Sequence, residues 1–142
     1  MLVTLYRSAA VWTGLGLLSG LYYRTLTQSQ DFSGGTQLSV VHTHTLALGT
    51  LMFLALLALA QAFSIGADAR FRWAVRLWNV GLAISAGTLT VKGTLQVLEN
   101  AAADSPAIAG ISGLGHITLT LAFGALFHVL GPAVRRAAAA KQ

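Results

Sequence analysis

Cysteine is absent from this chain of 142 residues. That removes disulfides, thiolate nucleophiles, cysteine-ligated zinc, iron–sulfur clusters and thioether-attached haem. Metal chemistry must therefore rest on histidine. Acid is scarce as well: there are 4 Asp and Glu against 9 Lys and Arg, and no acidic residue falls inside a long apolar stretch. A carboxylate proton relay, a di-iron site and a carboxylate cation channel have nothing to be built from. The G-x-S-x-G, P-loop and H-E-x-x-H patterns are also missing, so neither a hydrolase nor a nucleotide enzyme is indicated.

What is present is apolar. Hydrophobic residues make up 55% and charged residues only 9%, where soluble domains carry roughly 45–50% and 25%; the mean hydropathy is +0.68. The stretches 38–63, 77–91 and 105–134 contain no charge at all. A hydrocarbon core of about 30 Å needs about 20 apolar residues in helix. Four segments meet that need: Thr4 to Tyr23, Leu38 to Phe63, Trp73 to Leu98 and Ile108 to Val134. Tyr6, Tyr22, Tyr23, Trp73 and Trp78 stand near their ends, as interfacial aromatics do. The reading is all-α, a single domain of four transmembrane helices over residues 1–142. The first segment lacks a basic start and a small-residue cleavage site, so it is expected to stay as a span.

The cations are unevenly placed. Arg7, Arg70, Arg72, Arg76, Arg135, Arg136 and Lys141 belong to one side of this arrangement, and Arg24, Asp31, Glu99 and Asp104 to the other. The positive-inside rule then puts both termini in the cytoplasm. The net charge of +5 fits membrane orientation better than nucleic-acid binding, and the bilayer is the expected partner. Glycines stud the spans, including a G-x-x-x-G at Gly16 and Gly20, and small residues let helices or a flat cofactor come close.

Ionisable groups inside spans are expensive and mark function by default. They are His42, His44, Lys92, His116 and His128, with Asn79 and Gln96 as further polar groups. The topology sets His42, His44 and His116 at one depth in the outer half of the membrane, with Arg24 and Lys92 on the same side. Residues two apart on a helix point about 200° apart, so His42 and His44 serve two different sites. His42 shares a helical face with Gly49, and His116 with Gly113, which leaves room for a broad planar ligand. His42 and His116 are therefore the expected axial pair of a b-type haem, His44 a ligand toward a second site, and Arg24 and Lys92 the propionate partners. Bound copper or zinc on the same imidazoles is the alternative, and an accessory subunit whose histidines only bridge helices is another. His128, alone on its helix, is expected to bridge helices by a hydrogen bond. No catalytic residue stands out.

The V-V-H-T-H stretch ending at His44 and leading to Leu48 and Gly49 resembles an uncharacterised family of small four-span bacterial membrane proteins, a domain of unknown function. The likeness extends to Tyr23-Arg24, to the segment from Gly93 to Leu98, and to that from Gly110 to His116. It implies a multi-pass protein of the bacterial inner membrane. The H-x-H is also distantly similar to that in subunit I of the haem-copper oxidases, where histidines on one helix ligate two haems and three four-helix arcs form the fold. That resemblance implies a homotrimer of arcs holding haem b, with electron transfer, haem carriage or gas sensing as activities. The copper-site motif of those oxidases is missing here.

Overall fold

The structure, a computed structural model, describes residues 1–140. It is all helical. Helix α1 runs over Leu2–Ser29. The next rod is continuous over Gln37–Ala62 but changes its winding on the way. It opens as a 3-10 turn, Gln37–Val40, continues through α2, Val41–His44, loosens to a π-helical stretch, Thr45–Leu51, and ends as α3, Met52–Ala62. Helix α4 spans Ala69–Val97, a 3-10 turn covers Ala101–Asp104, and α5 spans Pro106–Ala139.

Short polar connections start the helices where the sequence offers caps. Asp68 Oδ1 accepts the Arg70 N–H at 2.8 Å to begin α4. Ser105 Oγ accepts the Ala107 N–H at 3.3 Å ahead of Pro106, which tolerates the first helical position because it needs no donor there. Thr36 does two jobs: its hydroxyl donates to the Gly93 carbonyl at 2.8 Å and accepts from the Leu38 N–H at 3.2 Å. The top of the second rod is thereby tied to α4.

Three rods, Gln37–Ala62, Ala69–Val97 and Pro106–Ala139, are long and apolar enough to cross a membrane. The sequence pointed to four spans. Helix α1 has the length, 28 residues or about 42 Å, but it is richer in hydroxyls. Several of these return to the helix's own carbonyls: Thr13 to Ala9, Thr25 to Leu21 and Thr27 to Tyr23, at 2.8–2.9 Å. Its outward face is aliphatic, with Val11, Leu15, Leu17, Leu18 and Leu21 all exposed.

Helix α4 is the centre. Of its most apolar stretch 44% is buried, against 28% in each of the other two long rods. The second rod packs on α1 and α4, and α5 rests along α4. Trp78 and Leu82 of α4, Phe53 of α3, Phe71 and Leu5 are fully enclosed in the core. Close seams rest on glycine. A Cβ at Gly81 would stand 2.9 Å from the Leu119 nitrogen, and one at Gly16 would stand 2.8 Å from the Leu46 side chain, so no other residue lets those rods approach as they do. Among the described residues no Cα of α5 comes within 8 Å of one in α1 or in the second rod.

Candidate functional site

Trp78 sets the level from which the histidines can be placed. Its indole N–H donates to the Leu48 carbonyl at 2.7 Å, and its ring meets that of Phe123 edge-on, centroids 4.4 Å apart. Leu48 and Phe123 are thus at one height on either side of α4. His44 lies one turn before Leu48, about 6 Å, and His116 two turns before Phe123, about 10 Å, at 1.5 Å per residue. Both rods run the same way, so these two imidazoles stand within about 4 Å of each other in depth.

His116 is seven residues from Phe123 and one turn from Ser112, which lines a cavity of about 280 Å³ with Gln37, Thr88 and Lys92. His44 stands seven residues beyond Gln37, on that cavity, and four before Leu48, whose carbonyl Trp78 binds. The cavity lies between the second rod, α4 and α5, the first and last of which carry these two histidines.

Both rings are prepared in the same way. His44 Nδ1 lies 3.0 Å from the Val40 carbonyl and His116 Nδ1 lies 2.9 Å from the Ser112 carbonyl. A carbonyl only accepts, so each Nδ1 carries a proton, and in the neutral ring Nε2 then has the lone pair. This is how ligating histidines are held in tautomer and orientation. His116 is exposed, and a Cβ at its neighbour Gly113 would meet nothing within 4 Å. Gly113 is exposed as well, so this open space lies at the surface of α5.

His42 is placed differently. Its Cβ lies 3.7 Å from where a Cβ of Gly20 would be, at the junction with α1. Its Nδ1 is buried without a hydrogen-bond partner, and Nε2 has only Thr43 Oγ1, at 3.3 Å. The space expected from Gly49 is not there, because the Trp12 ring occupies it. Gly49 lies in the π-helical stretch Thr45–Leu51 and packs on Trp12 of α1, the helix that His42 also meets at Gly20. His42 and His44 do diverge, as an H-x-H on a helix must. The structure does not bring His42 and His116 together: His42 lies against Gly20 of α1, and α5 does not approach α1 within 8 Å of Cα separation among the described residues. Arg24, one turn beyond Gly20 on α1, is exposed on the His42 side.

The remaining polar groups divide. Lys92 is half-buried at the cavity and forms no ion pair with Glu99. Gln96 Oε1 accepts the Gln37 N–H at 2.7 Å, and Asn79 Oδ1 accepts the Trp12 indole N–H at 3.0 Å; both are structural ties. His128 is exposed and, among the described residues, makes no bridge. Leu126 and Val129 hold the buried face of that turn, which leaves position 128 outside. Among the described residues no three His, Cys, Asp or Glu side chains are gathered as a metal would need. Residues that sequence reasoning passed over are Ser112 and Val40, whose carbonyls orient the imidazoles. A histidine's position four residues on from each was the only available signal.

Compared with known protein families, residues 2–133 match the one described as Protein of unknown function (DUF2871). No curated protein and no solved structure matches the chain.

Proposed function

We propose, for a chain that belongs to the DUF2871 family of proteins of unknown function, that it is an integral membrane b-type haem protein with His44 and His116 as the axial ligands. The observation that carries this reading is the pair of Nδ1 atoms held on the Val40 and Ser112 carbonyls, which leaves each Nε2 available to a ligand. A haem needs only two ligands from protein, since its own ring supplies the other four nitrogens. Structural zinc sites take four protein ligands and catalytic ones three. The pair of imidazoles therefore favours haem over the copper or zinc alternative. Lys92, on the neighbouring cavity, would hold a propionate. His42 belongs to a separate site with Arg24 as its cation.

Haem b supplies one-electron chemistry at iron. The chain's part is to fix the imidazoles, exclude water with Trp78 and Phe123 below, and balance the propionate charge. Electron transfer or haem and gas sensing is the activity that fits. On this reading α1 is the fourth span, both termini are cytoplasmic, and the protein is a homotrimer in the bacterial inner membrane, as its resemblance to one oxidase arc implies.

An absorption spectrum of protein purified in detergent from haem-replete cells tests this. The expected result is a Soret band that His44→Ala and His116→Ala each abolish and His128→Ala leaves in place. A colourless wild-type protein would overturn the reading. A band that depends on His42 and His116 but not His44 would overturn the ligand assignment alone.

A further inference from the structure

One long opening between helices is left unfilled. Between α1 and α4 lie cavities of about 400 and about 480 Å³, which adjoin at Trp12 and Ala83. Together they run from Thr4 to Tyr22 of α1, about 27 Å at 1.5 Å per residue, nearly the thickness of a hydrocarbon core. The α4 wall is made of small residues, Ala83, Ala86 and Gly87, and a Cβ at Gly87 would meet nothing within 4 Å. The α1 wall presents Leu15 and Leu18.

The groove turns polar at one end, where Arg7, Ser8 and Asn79 line it. Arg76 stands one turn from Val80, a lining residue on the same face of α4. Both arginines are exposed, and neither has an acidic partner: among the described residues the one salt bridge is Arg70 with Asp68. Arg76 lies over the Trp73 ring instead, 5.2 Å from its centroid. An occupant apolar over most of its length and anionic at this end would complement the lining. A helix of a second copy does not supply the anionic end. The acids of this chain are Asp31, Asp68, Glu99 and Asp104; only Asp68 lies at the arginine end, and it is already paired.

We infer that the groove binds an anionic phospholipid, with an acyl chain along Ala83 and Gly87 and the phosphate between Arg7 and Arg76. Basic pockets between membrane helices recognise lipid headgroups in this way. This site is separate from the histidine pair and stands without it.

Native mass spectrometry of the full chain in detergent, titrated with phosphatidylglycerol or phosphatidylcholine, tests it. Phosphatidylglycerol is expected to remain as a single adduct that phosphatidylcholine does not replace and that inorganic phosphate does not displace. Arg7→Gln combined with Arg76→Gln should weaken that binding about 30-fold, the effect of two basic groups near an anionic surface. Gly87→Leu, which fills open space, should weaken it too, while Arg135→Gln with Arg136→Gln should not. Equal binding of the two lipids, an unchanged double arginine variant, or displacement by inorganic phosphate would overturn the assignment. So would an Ala83→Cys chain that cross-links to a second copy in the membrane, because a protein helix would then fill the groove.

Discussion

The seams of α4 and the groove beside α1 use the same kind of residue for opposite ends. Against α5 and the second rod, α4 presents Gly81 and Gly93, each filled by a neighbour's backbone, Leu119 in one case and Leu38 in the other. Against α1 it presents Gly87, and nothing stands within 4 Å of where its Cβ would be. Glycine in a membrane helix is thus either a contact already made or a space held open, and only the packing partner distinguishes them. The histidines obey the same division. Gly49 and Gly113 were equal as neighbours of imidazoles in the sequence, yet Trp12 fills one and the other is bare.

The sharpest way to break this comparison is to add one side chain to each kind of glycine. Gly93→Leu must push the Leu38 backbone away, and the expected outcome is loss of the monodisperse folded species in size-exclusion chromatography. Overpacking costs about 1–3 kcal/mol even where side chains can give way, and backbone cannot. Gly87→Ala should elute and melt as the wild type does. Equal damage from both would mean that the groove is as full as the seam.

Cutting off single ties gives smaller effects. Trp12→Phe removes the indole N–H that Asn79 accepts and leaves a part-buried amide underused, so a loss of about 1–2 kcal/mol in thermal or denaturant unfolding is expected. Ser85→Ala runs the other way. Its Oγ is buried against Gly115 with no hydrogen-bond partner, and removing an unsatisfied hydroxyl should be neutral or stabilising by about 1 kcal/mol. A destabilised Ser85→Ala chain would show that the hydroxyl has a partner in the membrane.

The smallest effect belongs to the connection before α4. The Arg70 guanidinium, hydrogen-bonded to Asp68, holds that carboxyl below its ordinary range. A depressed carboxylate contributes stability above its unfolded pKa and loses it as pH falls through the folded one. The prediction is a slight drop in melting temperature on acidification below the ordinary Asp range, absent in Asp68→Asn. A drop of the same size in that variant would assign the acid sensitivity elsewhere.

The helices themselves were legible. The charge-free run at 38–63 became the rod Gln37–Ala62, and the other boundaries moved outward by a few residues because Asp68, Ser105 and Pro106 start helices beyond the apolar core. The V-V-H-T-H stretch marked an uncharacterised family, and the match over residues 2–133 agrees. Four spans were read from the sequence, and three rods are long and apolar enough to cross a membrane; α1 is as long but carries more hydroxyls, several of them bonded to its own carbonyls. The divergence of His42 and His44 followed from helical geometry. The pairing of His42 with His116 rested on a common depth and a small neighbour for each imidazole; the structure turns His42 to α1 and fills the space at Gly49 with Trp12.

Composition and periodicity determined that this chain is helical, rich enough in apolar residues for a membrane, and limited to imidazole and basic groups for any chemistry within it. Those properties belong to each segment by itself, because backbone hydrogen bonds in lipid close within a helix. Which glycines would be filled, which histidine would turn to α1, and where a groove would remain were decided only when the rods packed. Each depends on how far one helix is turned and shifted against another.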